Sequence, residues 1–447
     1  MGNPGNSRRE ALLRLGAGTA GAAAALGAAE NAPADSKAIQ TDVLVIGGGT
    51  AGTIAAIQAG RLGARTVLVE AGSQLGGTMT TAGVDFPGLF HAWGKQVIAG
   101  IGWELVTAAV KLNGDALPDF SVPYGTQHWR HQVRLNGALY AALAEEACVN
   151  AGVQLRYYES PHAITRDGGA WRVQLGGKGT RAEVVAKKLV DCTGNAAVIG
   201  LMGLPREREG TNQPGSLIYR LGGYDMARAD LAMMTAKAEE AVAAGALEST
   251  DFRHNLRGFL TNGGENATHL PGADSSTSEA HTQTNIRGRL SLLRMMRFLK
   301  PFPGFERLRL ERLQPEAGVR ETYRIVGETK VSVGDYTSGR VFADGVGYSF
   351  YPIDLHDERG IRPWPLKQGT VATIPLGALI PKGSRDVMVA GRCISSDRLA
   401  NSALRVQASC MAMGQAAGAA SALGAKGIVT LAEIVQALRQ HGAITPG

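Results

Sequence analysis

Three observations predict an α/β fold for this 447-residue chain. A strand, glycine turn, helix, second strand and terminal acid follow one another over residues 41–70. A hairpin pattern later in the chain closes on a second glycine turn, Asp191-Cys-Thr-Gly194. A last strand then runs into a long helix of small residues. Together they predict a Rossmann-like domain, a parallel sheet plus a β-meander, with an inserted α+β substrate or cap domain.

The first unit is the most specific. Val43 to Ile46 is a short apolar, β-branched-rich run, as a central parallel strand requires. Gly47, Gly49 and Gly52 form G-x-G-x-x-G: a tight turn, a close approach to a pyrophosphate, and close packing of helix on strand. Thr50 and Ala51 open a helix to Leu62, whose N-terminal N–H groups face that phosphate site. Val67 to Val69 is the second strand, and Glu70 ends it 18 residues beyond Gly52, where a carboxylate accepts from a ribose diol. A lone glycine fingerprint is weak evidence; this one has its strand, helix and acid.

Further along, the spacing predicts helices over Lys95–Leu112 and Leu135–Ala151 and a strand over Val153–Tyr158. Trp171–Leu175 and Glu183–Val190 read as hairpin strands around Gly176 and Gly177. Residues 205–370 change texture, with an Ala-rich helix over Met226–Leu247, a polar stretch from Thr261 to Gly288 and a helix over Leu290–Leu299. Val387–Gly391 reads as the last strand, and Leu404–Leu423 as the final long helix. No internal repeat stands out.

Bulk properties bound the function. Charged residues make up 19% of the chain and hydrophobic residues 44%, which suits a folded globular protein. The net charge of +7 comes from scattered basic residues, not a Lys/Arg block with interleaved aromatics, so nucleic acid is not the expected partner. Cys148, Cys192, Cys393 and Cys410 match no metal or redox spacing and read as structural thiols. Residues 1–34 read as a twin-arginine signal peptide: Arg8 and Arg9, then a mildly apolar run from Leu15 to Ala29, then Ala32-Pro-Ala34. The expectation is export of a folded protein to the periplasm, with no membrane span in the mature chain.

These pieces together resemble the FAD-dependent oxidoreductases of the glutathione reductase-like superfamily, over about residues 40–424. The anchors are Gly47 to Gly52, Leu75-Gly-Gly77, Asp191 to Gly194, Gly318-Val-Arg-Glu-Thr-Tyr-Arg-Ile-Val-Gly-Glu328, Tyr351-Pro-Ile-Asp-Leu-His356, Val389 to Ile394 and Arg405 to Gly418. The resemblance implies FAD as cofactor. Its contacts would be Gly47, Gly49, Thr50, Ala51, Gly52, Glu70, Ala71, Gly76, Gly77, Thr78, Thr193, Gly194, Gly391, Arg392, Met411, Gly414 and Gln415. Cys192 and Asn195 stand where Ala and Asp are commoner in such proteins. The implied organisation is FAD-binding domain over 35–204 and 370–447, with the substrate or cap domain over 205–369.

No second G-x-G-x-x-G follows a strand, so no separate NADPH site is expected, and the electron acceptor would be a quinone, a cytochrome or oxygen. The implied reaction is hydride transfer between FAD and a small polar organic substrate. Arg320, Arg324 and His356 are the catalytic candidates. Arginine can clamp a carboxylate bidentately, and histidine can deprotonate an alcohol near neutral pH. Arg320, Glu321, Arg324 and Glu328 alternate in sign and read equally well as a salt-bridge network. His356 reads equally as a satisfied core histidine, and His91 as a loop contact or a covalent flavin attachment. The rival readings are a fumarate reductase-like reductase of an unsaturated acid and a non-catalytic flavin-binding subunit.

Overall fold

The apolar run at the start of the chain forms β1, Ile39–Ile46, and its alternation places it at the centre of the molecule. Val43 and Val45 pack into one apolar cluster, while Leu44 and Ile46 pack into another on the opposite face. Every one of the four is 2% exposed or less, and burying each contributes about 1.5–3 kcal/mol. The computed structural model describes residues 38–123, 127–357, 360–361 and 363–447; the expected export segment lies outside them.

The chain continues into α1 (Thr50–Arg61) and β2 (Thr66–Glu70), which pairs parallel with β1. The expected helix from Lys95 begins instead at Ile101, as α2 (Ile101–Leu112). Lys95 and Gln96 pair with His91 and Ala92 in a short hairpin, and Gly100 turns the chain at φ 85°. Next, α3 (Gly137–Asn150) is capped by the Asn136 side chain, which accepts from Ala138 and Leu139 N–H. It leads to β3 (Gln154–Tyr157), parallel to β2.

The meander follows as β4 (Glu159–Asp167), β5 (Ala170–Gly177) and β6 (Thr180–Asp191). The hairpin turn falls at Lys178 and Gly179, not at Gly176 and Gly177, which pair with Arg181 and Thr180. Gly179 takes the left-handed conformation there, at φ 66°. Strand β6 is long enough to serve two partners on one edge. Its first half pairs antiparallel with β5, and Leu189–Asp191 pair parallel with Val387–Val389. Its other edge pairs parallel with β1, completing a seven-stranded sheet in the order β3-β2-β1-β6-β5-β4 with Val387–Val389 beside β6.

A second apolar cluster gathers residues from Leu217 to Val319. It is built on β7 (Tyr219–Gly222), α4 (Leu231–Ala243), α5 (Ser278–Leu299) and β8 (Arg309–Leu313), with β7 and β8 antiparallel. The expected helix over Met226–Leu247 is divided by two caps. Asp225 caps a short turn at Met226, and Asp230 caps α4. Helix α5 starts at Ser278, capped by Thr277, well before the expected Leu290, because its first turns carry few apolar residues for periodicity to reveal.

The chain from Val331 to Leu379 returns to the cluster around the sheet. There β9 (Gly345–Ser349) pairs with β10 (Ala372–Pro375). Strand β11 (Val387–Val389) then leads to α6 (Arg398–Leu404) and α7 (Gln407–Gly424), divided by the extended Val406, and to α8 (Leu431–Gln440). Small residues let α7 lie directly on α1. A Cβ at Gly414 would stand 2.1 Å from Ala51 O, and one at Gly418 2.3 Å from Ala55 O.

Candidate functional site

The glycine turn after β1 opens onto a cavity of about 680 Å³. Gly47 sits at φ 98° with Cys192 O 2.5 Å from where a Cβ would be, so only glycine allows the crossing of the two turns. A Cβ at Gly49 would meet nothing within 4 Å, and Gly49 lines the cavity: this is the open side of the turn. Helix α1 starts there without a side-chain cap and without an acid in its first turn. Helix α7 also starts uncapped, and Val406 and Gln407 line the same cavity. Two helix N-termini without side-chain caps thus present positive dipole ends to one space, with Ala408 N–H of α7 already donating to Pro87 O.

Glu70 closes the turn. Its Oε2 accepts from Gly48 N–H at 2.7 Å and its Oε1 from Gly72 N–H at 2.6 Å. Burial pushes its carboxyl up, against those two hydrogen bonds. The second turn is held by Asp191, fully buried, which accepts from Thr193 N–H and hydroxyl and from Ile199 N–H. Burial raises the Asp191 carboxyl as well. Gly194 O accepts from Arg392 Nε at 2.7 Å, and Arg392 also donates to Val319 O, Asn195 Oδ1 and Ser275 Oγ. All four acceptors are neutral, and burial lowers the Arg392 guanidinium from its ordinary value.

Of the residues expected to touch the dinucleotide, Gly47, Gly49, Thr50, Ala51, Glu70, Ala71, Gly77, Thr78, Thr193, Gly194, Gly391 and Arg392 line this cavity. Gly52, Gly76, Met411, Gly414 and Gln415 do not. Gly52 and Gly414 are packing glycines, with Gly47 O 1.8 Å and Ala51 O 2.1 Å from the positions of their missing Cβ atoms. Gly76 N–H donates to Gly48 O, tying the second glycine pair to the first turn. Met411 packs on Gly102, and buried Gln415 links Ile101 N–H, Gln58 and His441 O.

The chemical candidates separate in the same way. Arg320 and His356 line the cavity with Asp354 and Arg405. Arg324 is outside the lining: it is 3% exposed, donates to Ser396 O and pairs with Glu209 at 2.6 Å. The alternating charges around it form no single network, since Glu321 pairs with Arg398 and Glu328 accepts from Gly383 N–H. His91 also lies outside the lining, stacked on Phe120 at 3.7 Å.

Both ring nitrogens of His356 are engaged. Nε2 meets Asp354 Oδ2 at 3.2 Å, and Nδ1 meets His269 Nε2 at 3.1 Å. Burial, aided by the Arg320 charge, takes His356 down to about 3, and His269 falls to about 2 for the same two reasons. Burial pushes Asp354 up, but the His356 hydrogen bond and the Arg405 and Arg320 charges outweigh it, and its carboxyl ends well below the usual range. With Asp354 ionised, His356 carries its proton on Nε2 and accepts at Nδ1 from His269. Asp354 and Arg405 stand in motifs that sequence reading singled out, without being assigned a role. Ser216 and His269 carry no sequence signal.

The match to known proteins decides the family. Residues 42–441 match the family described as FAD dependent oxidoreductase. The chain belongs to that family. FAD is therefore its cofactor, and the cradle fits one: two glycine turns, two uncapped helix starts and an acid at the end of β2 surround one cavity. The FAD-dependent oxidoreductase is similar to solved structures at low identity. One is the OxyS anhydrotetracycline hydroxylase from Streptomyces rimosus, 19% identical over 41% of this chain and 38% of that chain, TM-score 0.29. Another is the flavin-dependent monooxygenase PieE in complex with FAD and substrate, 18% identical over 41% of this chain and 35% of that one, TM-score 0.32. A geranylgeranyl bacteriochlorophyll reductase-like protein from Thermoplasma acidophilum is 12% identical over 90% of this chain and 82% of its own, TM-score 0.41. The chain thus spans well under half the length of the first two. No curated protein matches it. Among the described residues no helix is long and apolar enough to cross a membrane, and no acid, histidine and cysteine group is set to hold a metal.

Proposed function

We propose that this protein dehydrogenates a small polar organic molecule at FAD. The observation that carries the reading is that Arg320, Asp354, His356 and Arg405 line the same cavity as the dinucleotide cradle. FAD, when bound, supplies the two-electron acceptor for a substrate hydride. The chain's own residues bind and orient. Gly47 to Ala51 and the start of α1 would hold the pyrophosphate, Glu70 the ribose diol, and the start of α7 the electron-rich end of the cofactor. Arg320 would anchor the substrate. His356, with both nitrogens engaged and held neutral, is a weak base at neutral pH; it would position Asp354 instead of taking a proton. Without a second glycine fingerprint, the electrons would leave to a quinone, a cytochrome or oxygen. The pattern of Arg8, Arg9 and the small-residue site at Ala32–Ala34 supports export to the periplasm by the twin-arginine route.

The first test is the visible spectrum of the purified protein before and after acid precipitation. A flavin spectrum released into the supernatant is expected. Next, the flavin band should bleach when short-chain hydroxy compounds are added anaerobically and recover with an electron-accepting dye. A protein that takes up FAD but whose flavin no such compound reduces would fit the flavin-binding subunit instead. For export, replacing Arg8 and Arg9 with lysine should leave the precursor in the cytoplasm, and unchanged periplasmic yield would sink that part.

A further inference from the structure

Arg320 has five N–H donors, and the fold uses only part of them. The outer edge of NH1 donates to Pro214 O. NH1 and NH2 both reach Ser216 Oγ at 3.2 Å, which occupies the end of the fork between them. Ser216 is held in turn by donating to Thr268 O at 2.8 Å. What remains, without a partner among the described residues, is the side edge: Nε–H and the adjacent NH2 hydrogen. That edge is the one by which other arginines of this protein hold carboxylates. Arg156 grips Glu159 through Nε and NH2 at 2.6 and 2.7 Å, and Arg294 grips Asp251 the same way at 2.8 and 2.7 Å.

The charge around this edge is unbalanced in the same sense. Arg320 bonds to no acid among the described residues. Arg405, also in the cavity lining, shares Asp354 with His356, and its buried Nε has no partner. Arg253 adds a third cation close enough to feel Asp354. Burial, with Arg405 next, takes the Arg320 guanidinium down to about 9, as expected of a cation lacking its anion. Asp354 spends its hydrogen bonds on His356, itself bonded to His269, and on Arg405, and makes none to Arg320.

We infer that the free side edge of Arg320, backed by Arg405, is a carboxylate subsite, so that the substrate of the proposed reaction is an organic acid. The subsite selects for acids over their neutral amides. His269 and Ser216 are positioning residues: one bonds His356, which in turn bonds Asp354, and the other holds the fork. The inference rests on the proposed oxidoreductase reading for what the bound acid is, but the binding itself needs no turnover.

The test is isothermal titration of the FAD-loaded protein with acetate, lactate, malonate and succinate, each paired with its primary amide. At least one acid should bind about ten- to a hundredfold more tightly than its amide, the range of a bidentate charge-assisted contact. Arg320→Gln should abolish that difference with FAD content unchanged and the protein still folded, and Arg320→Lys, which keeps charge but loses the fork, should recover only part of it. Equal binding of acid and amide, or of wild type and Arg320→Gln, overturns the subsite. So does an Arg320→Gln protein that loses FAD, since the edge would then serve the cofactor. If hydroxy compounds bleach the flavin while no acid binds preferentially, only the subsite fails. If acids bind through Arg320 and nothing bleaches the flavin, the subsite stands and the dehydrogenase reading falls.

Discussion

At the scale of single residues, Glu70 and Gly49 separate holding the turn from holding the cofactor. Glu70 grips two backbone N–H groups of its own turns, so Glu70→Ala should lower the stability of the apoprotein by about 2 kcal/mol, the range for hydrogen bonds to a charged group, as well as weaken FAD. Gly49→Ala adds a methyl group to open space at φ −68°, so the apoprotein should melt as wild type does. The same methyl enters the cavity, and FAD affinity should fall at least tenfold. Thermal melts with and without FAD check both, and a Gly49→Ala apoprotein that unfolds early would place the turn, not the ligand, as the constraint.

The histidine pair makes a prediction about pH. Both folded values lie below the ordinary 6.5, at about 3 for His356 and about 2 for His269. The stability that these neutral imidazoles contribute is therefore present above pH 6.5 and lost as pH falls from there toward 3. The slope is at most about 1.4 kcal/mol per pH unit for each histidine. Melting temperature should drop steeply between pH 6.5 and 4.5, and the double variant His269→Asn with His356→Gln should show a flatter profile. An equal slope in both proteins would remove the pair as the cause.

At the scale of elements, the contact of α7 with α1 positions both helix starts. Gly414 and Gly418 bring α7 onto the carbonyls of Ala51 and Ala55. Gly418→Ala, away from the cavity lining, should cost about 1–3 kcal/mol through overpacking, seen as a lower urea midpoint. FAD affinity should fall with it, because the start of α7 moves with the helix. Retained stability would mean the two helices can part without loss.

At the scale of the whole molecule, buried pairs join the second apolar cluster's surroundings to the sheet. Glu321 is 1% exposed and accepts from Arg398 at 2.6 Å and from Gln213. Arg398→Ala leaves that carboxylate buried without its cation and should cost about 3–5 kcal/mol. Arg228→Ala removes an exposed partner of Glu306 and should cost less than about 1 kcal/mol. Urea unfolding of the two variants tests the contrast. Equal small losses would show that the junction does not depend on the Glu321 pair.

The sequence by itself determined the first β-α-β unit, the hairpin strands β5 and β6 and the last strand, because each carries a local signal of apolar run and glycine turn. The nine-residue β4 carries none and is not among the expected strands, and the cofactor followed from the family resemblance of the motifs. Val43–Ile46 alternate into two clusters, Gly47 turns where a Cβ cannot fit, and Glu70 closes on Gly48 and Gly72. Local signals were less clear where caps and short hairpins act. Lys95 and Gln96 went into a hairpin instead of a helix, and Asp225 with Asp230 divided a run that periodicity joined. Only the tertiary structure decided which members of the charged motifs meet. Arg320 and Arg324 stand four positions apart, yet one faces the cavity and the other is held by Glu209. His269 reaches His356 across 87 residues, and Ser216 reaches Arg320 across 104. Such pairings depend on how the second cluster docks beside the sheet, a long-range packing outcome that no spacing within one segment encodes.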